Sequence, residues 1–274
     1  MNKVKIPEDW TVDTWYGFNR HYFSIDGCDA WIVEPAFPVE DGRWTWCAQW
    51  CDSYVERVGT IAYLNHGFYH GFVDVFQYRG NLRGIEIMSH FQDKMQKIGL
   101  ASQVSLLGLS WGGFFSLRYA EQYPERIRSL YLDAPVCNSG DPNGIEIRKE
   151  MSKQWGLSLE ELASSPLNPI HGVKKLTDAK IPVYVLLGDA DNIIDPKTNF
   201  ALLEEQFRAN GAEIIRLKES PNPGTGKVDP GTGYLRPGRE KSLVYVMVRS
   251  AWGHHPHGLE DVRPLLNFHW NAWQ

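Results

Sequence analysis

Val104-Ser-Leu-Leu-Gly108-Leu-Ser110-Trp-Gly112-Gly113 decides how this chain is read. Val104 to Leu107 is a short β-branched and leucine-rich run with the length of a buried strand. Gly108-Leu109-Ser110-Trp111-Gly112 then fits G-x-S-x-G, and Phe114 to Tyr123 is apolar at helical spacing up to Pro124. Strand, glycine-flanked serine and helix form the context of a nucleophile elbow. The turn is so tight that only glycines fit two residues to either side. The serine hydroxyl is lifted above the sheet, and the helix N-terminus behind it offers N–H groups to a developing oxyanion. Ser110 is therefore the candidate nucleophile, and Trp111 N–H a candidate oxyanion donor.

A serine hydroxyl attacks only when a base takes its proton, and the base needs a carboxylate to orient it. Downstream, a strand over 181–187 ends in Gly188-Asp189-Ala190-Asp191-Asn192-Ile-Ile-Asp195-Pro196. Asp189 follows the strand immediately and is free to bond within its own turn, and Asp195 precedes a proline and suits a helix cap. Asp191, in the loop between them, is the expected acid. The last strand, 243–248, is followed by Ala251-Trp-Gly253-His254-His255-Pro256-His257-Gly258. His254, next to the flexible Gly253, is the expected base, with His255 and His257 as companions. A metal held by these histidines lacks a carboxylate motif beside it, so no metal and no cofactor is expected.

The rest of the chain supplies the frame. Residues 16–34 read as an antiparallel hairpin turning at Asp26-Gly27. Trp44 to Trp50 reads as a strand, followed by a helix from an Asp52 N-cap to Leu64, with Gly67 as its C-cap glycine. Taking Val58–Leu64 as a strand would leave no room for the crossover that parallel strands require, so His66 becomes a helix-end residue. A strand over 69–75, an amphipathic helix over 85–98, a strand over 128–134 and a helix over 198–209 follow, with a further strand over 212–217. Strands alternating with helices predict an α/β fold: a doubly wound, mainly parallel sheet with helices on both faces, preceded by the hairpin. One domain over 1–274 is expected, with 138–180 as a small cap insertion carrying helices near 145–155 and 159–163. Residues 219–240 form a Gly/Pro-rich loop whose Gly224-Thr-Gly-Lys227 lacks the remaining positions of a phosphate-binding loop.

With 43% hydrophobic residues among 274 and a formal charge of −5, the chain can bury a large core and has no electrostatic bias toward nucleic acid or anionic membrane. No apolar run approaches the ~18 residues of a membrane span, and Met1 to Trp10 lacks the apolar segment of a signal peptide, so a cytoplasmic location is expected. Cys28, Cys47, Cys51 and Cys137 read as small buried thiols rather than a disulfide framework or metal ligands.

In order and spacing, Gly108-Leu-Ser110-Trp-Gly112-Gly113, Gly188-Asp-Ala-Asp191 and Gly253-His254 resemble the α/β-hydrolase superfamily from about residue 16 onward. Trp44-x-Trp46, Asp133-Ala-Pro-Val-Cys137, Asn168-Pro169 and the His-His-Pro-His run resemble its bacterial prolyl-oligopeptidase-like serine hydrolases. That branch often carries arginine after the nucleophile, where this chain has Trp111. The resemblance implies a cofactor-free Ser-Asp-His hydrolase whose second oxyanion N–H comes from just after the third strand, near Cys47 or Ala48. The expected reaction is hydrolysis of a short-acyl or methyl ester, with a saccharide held by Trp46, Trp252 and His255 as the expected alcohol part. Amide hydrolysis and a silent binding module are the alternatives.

Overall fold

The computed structural model describes residues 4–217 and 238–274; the 219–240 loop falls almost wholly outside them. β1 (Thr11–Trp15), β2 (Phe18–Ile25) and β3 (Cys28–Glu34) make an antiparallel ribbon, and β3 also pairs antiparallel with β5 (Tyr69–Val73). The remaining strands run parallel with β5: β4 (Trp44–Gln49), β6 (Val104–Leu109), β7 (Ile127–Asp133), β8 (Val183–Gly188), β9 (Glu213–Leu217) and β10 (Leu243–Arg249). They join one ten-stranded sheet in the order β1-β2-β3-β5-β4-β6-β7-β8-β10-β9.

Helices cover both faces, so the central strands are buried on two sides and read as continuous apolar runs. Against one face pack α2 (Leu82–Lys97), α3 (Trp111–Gln122), α6 (Pro169–Asp178) and α7 (Phe200–Ala209), in a core centred on Trp44, Trp46, Phe91, Phe114 and Phe115. On the other, Tyr63 of α1 (Thr60–Asn65) and Phe268 of α8 (Arg263–Ala272) join Leu107, Leu109, Tyr131 and Tyr184. The strand-ends of β4, β6, β7, β8 and β10 thus share one edge of the sheet, and the loops leaving that edge build the site.

Several elements differ from the sequence reading. β1 extends the hairpin to a three-stranded ribbon, joined through Tyr16-Gly17 in left-handed geometry. The helix expected from Asp52 spans only Thr60–Asn65. Asp52 caps nothing; it accepts a hydrogen bond from Trp15 Nε1–H at 2.7 Å. Its C-terminal end matches the reading: Gly67 takes φ +85°, Phe68 N–H bonds Tyr63 O, and Gly67 N–H bonds Leu64 O. This paired closure ends the helix and turns the chain into β5.

The segment 138–180, expected as a cap, holds three helices. α4 (Ile145–Trp155) and α5 (Leu159–Ser164) interrupt the alternation, but α6 lies in the helical layer beside the sheet. No helix was expected over α6; Pro169 occupies its first turn, where the missing N–H costs nothing.

Two histidines are sealed inside this frame. His70 on β5 meets Thr45 Oγ1 at 2.8 Å, and His269 on α8 meets Ser129 Oγ at 2.7 Å. Both are fully buried, and burial lowers each to about 3. Because the folded values lie below the unfolded ~6.5, both rings contribute full stability above that value and lose it as pH falls toward 3. The unfolded chain then binds up to two more protons, so stability falls by as much as roughly 2.7 kcal/mol per pH unit. Urea midpoints should drop steeply between pH 7 and 5, and His269→Gln should remove about half of that slope; an unchanged slope would contradict the burial.

Candidate active site

Ser110 sits between β6 and α3 with φ 50° and ψ −116°, a conformation that a residue with a Cβ rarely adopts. The backbone holds it there from three sides. Ser110 N–H donates to Asp133 O at 2.9 Å, while Gly113 N–H and Val136 N–H donate to Ser110 O at 2.9 and 3.0 Å. A Cβ at Gly108 would stand 2.8 Å from both Gly112 O and Gly113 Cα, so the elbow closes only around glycine. Trp111 begins α3, and its N–H is among the first-turn donors that no carbonyl of the helix reaches.

The strand-end loops of β8 and β10 bring Asp191 and His254 to this turn. His254 Nε2 lies 3.0 Å from Ser110 Oγ, and His254 Nδ1 lies 2.8 Å from Asp191 Oδ2. Asp191 Oδ1 accepts the N–H groups of Ile193 and Ile194, both at 2.9 Å. An ionised carboxylate only accepts, so Nδ1 carries the ring proton and Nε2 is left to accept from the serine. Burial alone would raise the Asp191 carboxyl. The His254 bond and the two backbone donors outweigh it and hold the group below the usual carboxylate range.

What keeps the two loops together is a backbone contact. A Cβ on Gly188 would come within 2.3 Å of Trp252 O, so the end of β8 can lie against the histidine loop only as glycine. Ala190 N–H donates to Trp252 O at 2.9 Å, and Asp189 Oδ1 accepts Ala251 N–H at 2.6 Å. The three acids of the loop therefore have separate places. Asp189 pins the histidine loop, Asp191 faces His254, and Asp195 accepts Lys197 N–H at 2.9 Å at the approach to α7.

A second buried pair stands beside the first. His257 Nδ1–H donates to Asp133 Oδ1 at 2.8 Å, while Tyr131 Oη–H and Gly258 N–H donate to Asp133 Oδ2. The His254 and His257 rings are 5.0 Å apart. The sequence reading missed this pairing because 124 residues separate its partners, although both lie in stretches it singled out. Arg57 fastens the far end of the loop, donating from Nε to His257 O at 2.9 Å and pairing with Glu260 at 3.0 Å.

The comparisons with known proteins agree with this architecture. A family model described as the alpha/beta hydrolase fold matches residues 84–175, from α2 through the elbow to α6. The chain has the α/β-hydrolase fold. A puromycin-hydrolyzing peptidase from Mycobacterium tuberculosis superposes with a TM-score of 0.64 at 12% identity, over 93% of this chain and 38% of that one. The acylaminoacyl peptidase of Pyrococcus horikoshii gives 0.60 at 12% identity, over 86% of this chain and 37% of its own. An S-formylglutathione hydrolase from Agrobacterium tumefaciens gives 0.59 at 12% identity, over 96% and 98% of the two chains. The chain thus spans little more than a third of the length of either peptidase and nearly the whole of the third protein. No curated protein matches the sequence.

Within this α/β-hydrolase fold, three expected site residues are placed elsewhere. Trp46 points into the core, wholly buried between Trp44, Phe91 and Tyr119, and offers no surface to a substrate. Both faces of β4 are covered, so its alternation could not tell which way the indole points. Trp252 is half-buried beneath the Arg249 guanidinium, 3.2 Å from its ring centre. Cys47 lies inside β4, paired with Leu107 on β6. The strand runs two residues further, and it is Gln49 whose backbone N stands 3.2 Å from where a Cβ on Gly112 would be. His255 is exposed at the rim, stacked on Tyr54 at 6.0 Å. The aromatic rings that do surround the elbow are Phe76 against Trp111 at 5.9 Å and Trp50 against Phe76 at 5.2 Å. Cys51 is half-buried rather than buried.

This geometry predicts two low-field imidazole protons in the NMR spectrum, from Nδ1–H of His254 and of His257. Asp191→Asn should remove the first and Asp133→Asn the second, whereas Asp189→Asn should leave both. Loss of the His254 resonance in Asp189→Asn would place the acid wrongly.

Proposed function

We propose that this chain is a cofactor-independent serine hydrolase that cleaves a carboxylic ester through Ser110, His254 and Asp191. The observation that carries the reading is the unbroken line of hydrogen bonds from Asp191 Oδ2 through His254 to Ser110 Oγ, at 2.8 and 3.0 Å. Ser110 Oγ bonds to the carbonyl carbon as its proton passes to His254 Nε2. Asp191, kept ionised by its donors, stabilises the imidazolium and fixes its tautomer. The negative oxygen of the tetrahedral intermediate is received by Trp111 N–H and by the backbone at Gln49–Trp50, a pair that replaces Cys47 in the role. Each such donor is worth about 10²–10³ in rate. Collapse breaks the bond to the alcohol, which leaves with the proton from Nε2. Water then bonds to the acyl carbon as its proton passes to the same nitrogen, the acyl–Oγ bond breaks, and the proton returns from Nε2 to Ser110 as the acid leaves.

The aromatic rings of Trp50, Phe76 and Trp111 crowd the elbow and favour a small acyl or methyl ester over a long chain. The support for a saccharide weakens with Trp46 wholly buried and Trp252 half-buried beneath Arg249, while Trp50, beside Phe76, is exposed. Amide hydrolysis is the second reading, favoured by the likeness in fold to the puromycin-hydrolyzing peptidase.

Specificity constants for a nitrophenyl ester series and for a matching anilide decide among these. We expect acetate or propionate to be the best substrate, the anilide to be slower by orders of magnitude, and Ser110→Ala to retain less than about a thousandth of the parent rate. A steady rise through about eight carbons would overturn the small-acyl assignment. An anilide cleaved as fast as the ester would favour the peptidase reading.

A further inference from the structure

We propose that His254, His255 and His257 form a binding site for a zinc-class divalent cation, and that a cation seated there shuts the active site. One ring nitrogen from each histidine lies within 4.8 Å of those of the other two. The sequence reading set a metal aside for want of a carboxylate beside these histidines, but the fold brings two. Asp191 engages Nδ1 of His254 and Asp133 engages Nδ1 of His257, each at 2.8 Å. A carboxylate on the far nitrogen of a histidine is the usual outer partner of a metal-ligating ring: it fixes the tautomer with the proton on Nδ1 and leaves the Nε2 lone pair to bind.

The donor set selects the ion. Imidazole nitrogens suit zinc, copper and nickel rather than magnesium or calcium, which prefer oxygen. Three nitrogens with room for a fourth ligand make a tetrahedral zinc site with Zn–N of about 2.0–2.1 Å. That requires the nitrogens to stand closer than their present 4.8 Å limit. His255 can supply the movement, because it is exposed on the loop while the other two are buried and tied. Its ring is 4.8 Å from that of His254 and 5.1 Å from that of His257.

Occupation has a direct chemical consequence. His254 has one nitrogen left to accept a proton, and it is the one facing Ser110 Oγ. A cation taking that lone pair removes the base without disturbing Asp191. Blocked hydrolysis depends on the reading of His254 as base; metal binding does not.

Equilibrium dialysis of the intact chain against zinc chloride separates the two. We expect one equivalent bound, full retention in Ser110→Ala, and affinity lower by tenfold or more in His255→Ala and in Asp133→Asn. His255 is exposed, so its replacement leaves the fold undisturbed and its result stands if Asp133→Asn misfolds. No stoichiometric binding by the parent, or His255→Ala binding as tightly as the parent, would overturn the site. Nitrophenyl acetate hydrolysis should cease at zinc saturation and return with EDTA; hydrolysis continuing with zinc bound would overturn the blocking. A parent that never hydrolyses the ester would count against the serine-hydrolase reading, and dialysis would still decide the metal site.

Discussion

A carboxylate sealed to 5% exposure must find donors for its oxygens or give up its charge. Asp191 finds three: two N–H groups of its own loop and the imidazole of a residue 63 positions away. Those bonds fix where the ring can stand, and the ring in turn fixes what lies beyond it. The rest of the fold serves that line. The parallel strands end at one edge, Gly188 lets two loops touch at the backbone, and the strained turn at Ser110 raises its hydroxyl to meet Nε2.

The same economy explains the second pair. Asp133 closes β7 while its main-chain oxygen accepts from Ser110 and its side chain holds His257. The segment 254–258 is therefore anchored through two buried carboxylates, one closing β7 and one in the loop after β8, and Arg57 ties its far side. A loop held this firmly keeps the His254 and His257 rings in place and leaves His255 exposed at the rim.

Local chemistry made much of this legible in the sequence. The elbow was readable because strand, glycines and helix all fall within twenty residues. Asp191 could be set apart from Asp189 and Asp195 as the mid-loop acid, although Asp189 bonds Ala251 N–H of the facing loop rather than its own turn, and α7 is capped at Asn199 rather than Asp195. What stayed hidden depended on faces and partners. Trp46 lies on a strand buried on both sides, where no alternation tells inward from outward. α6 begins with a proline, which the sequence presents as a stop although the first turn of a helix accepts it. α8 reached no stated expectation, and its His269 joins Ser129 across 140 residues. Asp133 and His257 each sat in a conspicuous motif, but only the parallel order of β7, β8 and β10 brings them side by side.

The most direct measurement is covalent labelling with a fluorophosphonate, followed by mass mapping of the modified peptide. The account predicts a single adduct on Ser110, formed at a rate that falls by about 10⁴ in Asp191→Asn and changes little in Asp195→Asn. An adduct on another residue, or equal labelling rates in Asp191→Asn and the parent, would contradict it.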